Sequence, residues 1–195
     1  MATGESRRIT DLDTLKALAH PLRLKLYRAL SQARTATASQ LAEQVDEAVS
    51  LVSYHLRKLA AHGVIEEAER QSADGRERWW QIVMTSYSVA DQDFRDAPER
   101  AAAYTTFTRM AFREHVELYE RYLDEQATWP EEWRGAAFSS QNLPSLTADE
   151  LRELSEELFE VQQKWKARSD AAQRAGDTEG RENVVLNLFG FPTRP

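Results

Sequence analysis

Apolar residues recur every three or four positions in several parts of the chain, which predicts a series of amphipathic helices. The clearest example is residues 48–63, which read AVSLVSYHLRKLAAHG. Its apolar side consists of Val52, Leu56 and Leu59. Asp46 is placed to cap the start of this helix, and Gly63 stands where helices commonly end in a left-handed residue. The pattern therefore predicts one buried side and one side facing solvent.

The solvent side of this helix has an unusual composition. It carries Ser50, Ser53, Tyr54, Arg57 and Ala61, with Lys58 at its edge. No acidic residue occurs between Val49 and Ile65. Small side chains permit close approach to a DNA major groove, and Arg can pair with guanine or phosphate. The alternative is an ordinary amphipathic helix that lacks acids. His55 lies toward the buried side of the helix. It is expected either to have an orienting role or to contact a phosphate, and not to read a base.

The residues before this helix predict three more helices. The first covers 11–19, with Thr10 as its cap, and ends at His20-Pro21. Pro at a first helical position opens the second, 21–31, and 32–36 is a linker. Thr37 and Gln40 form a capping box for a short helix bearing Leu41 and Val45. This helix and the next, joined by a short turn, predict a helix-turn-helix whose second helix does the reading.

Extended structure follows Gly63. Residues 64–70 and 76–83 are predicted to be two strands, joined by a turn at 71–75 that contains Asp-Gly. Arg70, Arg76 and Arg78 cluster near that turn, as suits a phosphate or minor-groove contact. Alternatively, these arginines pair with neighbouring glutamates on a solvated hairpin. Directly after a helix-turn-helix, the hairpin is typical of the wing of a winged helix.

Residues 10–85 resemble a known family. The run His20-Pro21 and Arg23, then LAEQV, SLVSYHLRKLAAHGVIEE and DGRERWWQI, is similar to winged-helix repressors of the ArsR/SmtB type. Ser53, His55, Leu56 and Leu59 match the family pattern S-x-H-L-x-x-L. The resemblance implies a dimer that binds operator DNA and releases it when an inducer binds. The family's Cys-x-Cys metal sensor is absent, because the helix ASQLAEQV has no Cys.

A long helix is predicted between residues 98 and 127. Its lone His115 has no partner at metal-ligand spacing, so no metal site is predicted. Its apolar stripe consists of Tyr104, Phe107, Ala111, Leu118 and Tyr122. This stripe is a dimer seam, intramolecular core or part of a ligand pocket, and the resemblance favours the seam.

The C-terminal region is predicted to be strand, helix, strand. The strands are 135–141 and 183–191, the latter reading NVVLNLFGF, and 174–182 is a linker. Thr147 and Glu150 form a second capping box. The helix that follows carries a coiled-coil-like stripe made of Leu151, Leu154, Leu158, Val161 and Trp165. The aromatic residues of this region are either plain core or the lining of an apolar ligand pocket.

Composition narrows the function classes. The 195 residues contain no Cys, which excludes disulfides and thiolate chemistry. The net charge of −7 is concentrated in the second half. Residues 1–85 carry 12 Lys and Arg against 11 Asp and Glu, whereas residues 86–195 carry 13 against 21. The first half can therefore show a locally basic surface. No apolar run is long enough for a membrane span or a signal segment, which predicts a cytoplasmic protein.

The whole chain predicts a mainly α fold with a small β component. Residues 1–9 are expected to be disordered, 10–88 to form a winged helix-turn-helix, and 89–195 to dimerise or bind an effector. The leading hypothesis is a homodimeric, DNA-binding transcriptional regulator, a repressor released by a small-molecule inducer. The alternative is a winged-helix protein-interaction module. No phosphate loop, nucleophile motif or paired carboxylates indicate an enzyme, and no cofactor is predicted.

Overall fold

The structure is a computed structural model that describes residues 5–69 and 78–194. The chain divides into two compact units, one ending at Asp124 and the other beginning at Glu125. The elements of the first unit are β1 (Glu5–Arg8), α1 (Leu12–Leu18), α2 (Pro21–Ala33), β2 (Thr35–Thr37), α3 (Ala38–Val45), α4 (Val49–Ala61), β3 (Ile65–Glu67), β4 (Trp79–Ile82), β5 (Met84–Ser88) and α5 (Pro98–Glu125). The second unit contains α6 (Glu131–Ala136) and α7 (Ala148–Arg174).

The first two helices begin at caps that satisfy their free backbone N–H groups. The backbone N–H of Thr14 donates to Asp11 Oδ1 at 2.7 Å, so Asp11, and not Thr10 as predicted, caps α1. At α2 the backbone N–H of Leu22 donates to His20 Nδ1 at 3.2 Å, and Pro21 occupies the first helical position as predicted. The His-Pro pair therefore both ends one helix and starts the next.

A three-stranded antiparallel sheet has the order β2-β4-β3. Trp80 and Ile82 of β4 are buried on its inner face, which confirms the predicted alternation. Part of the predicted linker 32–36 instead forms the edge of this sheet, because Ala36 pairs with Trp80. The arrangement α3, α4, β3, β4 is the predicted winged helix-turn-helix.

The N-terminus is ordered from Glu5, which corrects the expectation of disorder over residues 1–9. β1 pairs in parallel with β5, and Ile9 continues the ladder by donating its N–H to the Ser88 carbonyl at 2.9 Å. Ile9 is fully buried, and Arg8 Nε lies 2.8 Å from Asp93 Oδ2. Disorder was expected because this stretch is mostly polar. It is ordered because Ile9 is buried and because its backbone pairs with the edge of β5.

The N-terminal half of α5 belongs to the core of the first unit. Phe107 and Ala111 are buried, and Tyr87 contacts the Phe107 ring with centroids 5.9 Å apart. Arg28 of α2 forms an ion pair with Glu114 of α5 at 2.5 Å. This packing places the unit boundary at Asp124 instead of the predicted residue 88. It also shows that the middle of the predicted dimer seam is intramolecular core.

The second unit departs from the prediction of strand, helix, strand. Residues 135–141 end α6 and continue without regular structure, and 183–191 form no strand either. The second segment is rich in β-forming residues, yet no described strand of this unit pairs with it. The helix between them is confirmed, with Thr147 and Glu150 in the predicted capping box. Among the described residues, no helix is long and apolar enough to cross a membrane.

Candidate nucleic-acid interface

The helix-turn-helix is held at its start by a complete capping box. Gln40 N donates to Thr37 Oγ1 at 3.3 Å, and Thr37 N donates to Gln40 Oε1 at 2.9 Å. α3 ends at Asp46, whose φ of 54° is left-handed, so Asp46 does not cap α4 as predicted. α4 begins after Ala48 with no side-chain cap. Its first backbone N–H groups therefore remain available to an anion such as a phosphate.

The two faces of α4 are as different in the structure as in the sequence. Val52, Leu56 and Leu59 are fully buried and fix the helix against the core of the first unit. On the other face, Ser50, Tyr54, Arg57 and Lys58 are exposed and Ser53 is half-buried. The structure therefore brings five of the predicted contact residues onto one accessible surface. We call this surface, Ser50, Ser53, Tyr54, Arg57 and Lys58, the α4 outer face.

The charged residues of the α4 outer face have no acidic partner within the described part of the chain. Neither Arg57 nor Lys58 forms an ion pair with another described residue. The Lys58 ammonium lies 5.8 Å from the centroid of the Tyr54 ring, a cation–π arrangement that orders the tyrosine beside the cation. Both cations therefore project from the surface without an acidic neighbour on the helix.

His55 is the predicted site residue that the structure moves to the interior. It is 5% exposed, with its ring 4.4 Å from that of His20 and 5.1 Å from that of Tyr54, measured between centroids. Burial and the neighbouring His20 and Arg23 lower the pKa of His55. This burial fits the orienting role predicted for His55, and a contact between His55 and a phosphate stays a prediction.

Two residues behind α4, His20 and Arg23, were not predicted to belong to the site. They entered the prediction only as part of the family resemblance. His20 caps α2 and contacts the His55 ring, and Arg23 donates from Nη2 to the Lys16 carbonyl at 2.9 Å. Burial lowers the pKa of both His20 and Arg23. The spacing His-Pro-x-Arg was the available signal: it places both side chains on the first turn of α2. His20 therefore supports α4 from behind through His55, and Arg23 links the start of α2 to α1.

The wing is described only in part. Arg78 Nε lies 3.2 Å from Glu67 Oε2, and its guanidinium carbon lies 5.6 Å from the Trp80 ring centroid. For this arginine, the alternative of pairing with a neighbouring glutamate is the observed arrangement. Arg70, Arg76 and the predicted turn fall outside the described residues.

The open grooves formed by the described residues include two that the C-terminal aromatics do not line. The larger, of about 640 Å³, lies between α2, α3 and α5 and is lined by residues such as Lys25, Arg28, Val45, Leu118 and Arg121. The smaller, of about 490 Å³, lies in the second unit and is lined by Gln126, Ala127, Glu131, Arg134 and Gly135. Across the described ranges, no three His, Asp or Glu side chains come together as a metal site.

Comparison with known proteins identifies the central part of the first unit. Residues 18–68 match a protein family described as a helix-turn-helix domain. The fold of this segment is a winged helix-turn-helix. The match runs from the end of α1 to just beyond β3, and covers about a quarter of the chain. It does not separate the ArsR/SmtB type from other helix-turn-helix families, so that finer assignment stays a prediction.

Solved structures with distant similarity include several regulators. A transcriptional regulator homologue from Pyrococcus horikoshii OT3 is 18% identical, with 53% of this chain and 88% of that one covered and a TM-score of 0.32. A point mutant of MarR from E. coli is 17% identical, with coverages of 78% and 87% and a TM-score of 0.31. Zinc-responsive ZitR of the MarR family, from Lactococcus lactis, is 16% identical, with coverages of 81% and 84% and a TM-score of 0.29.

Similarity at that level does not indicate what this chain binds. A comparison with curated proteins finds no match.

Proposed function

We propose that the protein is a DNA-binding regulator of transcription that inserts α4 into the major groove. The observation that carries the proposal is the α4 outer face. It is an accessible helix surface with two hydroxyls, one aromatic and two cations, and without an acid, on the second helix of a helix-turn-helix. The buried inner side of the same helix holds this surface rigidly, as recognition of base edges requires.

The residues of the α4 outer face have different roles in this proposal. Ser50, Ser53 and Tyr54 contact base edges, and Arg57 pairs with guanine O6 and N7, the commonest specific contact of arginine. Lys58 binds the phosphate backbone as a point charge and fixes the register without reading sequence. The uncapped start of α4 adds backbone N–H donors for a phosphate.

The wing arginines Arg70, Arg76 and Arg78 are proposed to hold the backbone or minor groove beside α4. Arg78 would have to leave Glu67 for this contact. Both side chains of that pair are more than half exposed, so the pair contributes little and a phosphate can displace the glutamate. The observed pair is therefore compatible with DNA binding.

A homodimer is the proposed form, with the C-terminal half of α5 at the seam. Phe112, Val116, Tyr119 and Leu123 recur at steps of four, three and four, and are 39–51% exposed. We call these four residues the α5 outer stripe. It replaces the predicted stripe, whose middle is buried within the chain. A two-fold pairing would place two α4 helices on successive major grooves about 34–36 Å apart.

The prediction of a repressor with a small-molecule inducer is also kept as a proposal. The groove between α2, α3 and α5 supports it, because a molecule there would contact both the helix-turn-helix and the helix proposed to dimerise. Three cations and two acids line the groove, and Arg28 Nη1 is buried without a hydrogen-bond partner among the described residues. Arg28 already pairs with Glu114, so the groove has no net excess of cations, and its free donor favours a small inducer with a hydrogen-bond acceptor and an apolar body.

The test of the DNA-binding proposal is Arg57→Ala, with Arg95→Ala as the matched control. Arg95 is exposed and lies outside α4, so both variants change the net charge equally. Arg57→Ala is expected to weaken binding to a selected operator by about 1–3 kcal/mol at fixed salt, with unchanged thermal unfolding. Operator binding is measured by fluorescence anisotropy. Equal binding by the two variants would reject α4 as the reading helix.

A protein-interaction module is the second candidate, and one observation favours it. Val49 and Leu51 of α4 are exposed apolar residues beside the α4 outer face. A docking surface would use these residues and show little salt dependence, whereas DNA binding loses affinity steeply with salt through counterion release. Binding measured at two salt concentrations separates the two functions.

A further inference from the structure

The second unit leaves an apolar helix face without a cover. Leu154, Leu158, Val161 and Trp165 lie along one side of α7 and are 38–59% exposed. We call these four residues the α7 stripe. α7 has no buried residue among those described. Isolated apolar side chains on a surface are common, but a continuous row on a 27-residue helix marks an interaction site.

The unit's own C-terminal segment covers the start of α7. Gly190 lies against Leu151, where an added Cβ would lie 3.2 Å from Leu151 Cδ1. Most of the partly buried positions of α7 lie beside the stripe, whereas Leu151 and Ala172 continue its line at either end. The segment therefore covers Leu151, which precedes the stripe, and leaves the four stripe residues exposed.

The charges along α7 are separated by sign. Residues 148–160 contain six acids and one base, whereas residues 161–174 contain four bases and one acid. The helix dipole favours acids in the first turn and bases in the last, but it does not act on the middle turns. Glu156, Glu157, Glu160 and Lys164 lie in those middle turns. The separation therefore needs a different explanation.

We propose that the α7 stripe binds the α7 stripe of a second copy of this chain, with the two helices antiparallel. This orientation places the acidic half of each helix beside the basic half of the other. A parallel pair would place acid against acid over the first four turns. Charges that flank an apolar seam set the orientation of paired helices in this way.

The register of the pair follows from the spacing of the stripe. In heptad terms Leu151, Leu158 and Trp165 are a positions, and Leu154 and Val161 are d positions. Antiparallel helices pack a against d, so Leu158 opposes Val161 of the second copy and Leu154 opposes Trp165. Glu157 and Lys164 are the g positions on either side of this centre.

The g positions supply the most specific observation. In the antiparallel register Glu157 faces Lys164 of the second copy, and two-fold symmetry repeats the pair. Both side chains are exposed, and neither forms an ion pair or hydrogen bond with a described residue. By contrast, the nearby Lys166 already pairs with Asp170 at 2.7 Å. The two charges that the register needs are therefore both available, as are those of Glu153, Glu156, Glu160 and Arg174 elsewhere on α7.

Charge exchange tests the pairing in the full chain. Glu157→Lys and Lys164→Glu are each expected to weaken self-association about tenfold, because each turns two attractive pairs into repulsive ones. The double variant E157K/K164E is expected to restore association to near the original value. Glu156→Lys, on the opposite side of α7, is the matched control. Sedimentation equilibrium measures the association constant, and these exposed positions leave folding unaffected.

Cross-linking tests the orientation of the two helices. Because the chain has no native Cys, only the introduced cysteines can form disulfides. Leu154→Cys and Trp165→Cys proteins are mixed and oxidised. The proposal predicts disulfides between the two variants and not within either one, because residue 154 opposes residue 165. Cross-links within a single variant would indicate a parallel pair and overturn the proposal, as would the absence of any cross-link.

The inference does not depend on DNA binding, and its failure can be distinguished from failure of the proposed function. Self-association that is unchanged in E157K and K164E would reject the α7 contact, while a dimer formed through the α5 outer stripe would still stand. The Arg57→Ala result concerns only the reading helix. Neither α7 readout uses DNA.

Discussion

α4 and α7 have the same hydrophobic spacing but different surroundings. In α4 the apolar side is fully buried against the first unit, and the exposed side is polar and free of acids. In α7 the apolar side is exposed, and charge is separated along the helix instead of across it. The comparison shows that a periodic pattern identifies the apolar side of a helix but not what covers it.

The difference arises from the neighbours that each helix has in its own unit. α4 packs against α1, α2, α3 and β3, which close around its apolar side. α7 follows a segment without regular structure, and its own unit offers it only the short α6 and the C-terminal segment. The apolar side of α4 is thus covered within the chain, whereas that of α7 is left accessible to another molecule.

Replacing one leucine by alanine on the apolar side of each helix should produce the largest difference in the free energy of unfolding. Leu56→Ala is expected to lower the free energy of unfolding by about 2–5 kcal/mol, because it leaves a cavity in a packed core. Leu158→Ala should lower it by less than about 1 kcal/mol in dilute protein, because the site is partly exposed. Urea unfolding at low concentration measures both. Equal losses would mean that the α7 stripe is covered within the chain.

An ion pair from each unit gives a smaller contrast. Arg28→Gln is expected to cost about 1–3 kcal/mol, because it leaves Glu114 partly buried without its cation. Burial already raises the pKa of Glu114. Arg152→Gln is the matched variant, and it removes the exposed pair with Asp149. Chemical denaturation should show no measurable change there. If Arg28→Gln left the free energy of unfolding unchanged, this ion pair would not anchor α5.

The two capping boxes allow a still finer comparison, since Thr37 and Thr147 make the same contacts. Thr37→Ala should cost about 1 kcal/mol of global stability, because α3 belongs to the cooperative core. Thr147→Ala should instead increase amide exchange in the first turn of α7 while leaving the urea midpoint of the first unit unchanged. Thr→Ser at each position retains the hydroxyl acceptor and serves as the control. A shift of that midpoint by Thr147→Ala would show that the units unfold together.

The sequence predicted elements whose signals are local. Capping residues, Pro21, Gly63 and the spacing in α2, α4, α5 and α7 identified the helices, because these features act within a few residues. β1 and β2 were missed because each is short and exists only through its pairing with a distant strand. The segment NVVLNLFGF was wrongly predicted to be a strand for the converse reason: its β propensity has no partner.

In the candidate site, too, features that depend on local spacing were predictable, and contacts with distant residues were not. The α4 outer face was predictable because the side of a helix on which a residue lies depends only on its spacing. The position of His55 toward the buried side followed from the same spacing, but its contact with the His20 ring did not, because His20 lies at the start of another helix. The hydrogen bond from Arg23 to the Lys16 carbonyl, across the junction of α1 and α2, was likewise not predictable from spacing.

A pH contrast between the units is the smallest expected effect, and it follows from that histidine pair. All four histidines of the chain lie in the first unit. The pKa values of His20 and His55 are lowered mainly by burial, so the folded chain binds fewer protons than the unfolded chain. The free energy of unfolding of the first unit should therefore fall as the pH drops below about 6.5, the unfolded value.

Protonation also removes a specific contact, because the Leu22 N–H needs the unprotonated His20 Nδ1 as its acceptor. His20→Asn keeps a capping acceptor without a titrating group, so it should reduce the pH dependence between about pH 7.5 and 5.5. The remaining slope comes from His55 and His115, whose pKa values are also lowered by burial. Thermal unfolding followed at each pH checks this, with α7 amide exchange reporting the second unit. Because the raised pKa of Glu114 opposes the trend, the slope difference between His20→Asn and the original chain is decisive. Identical slopes would show that His20 binds protons equally in the folded and the unfolded chain.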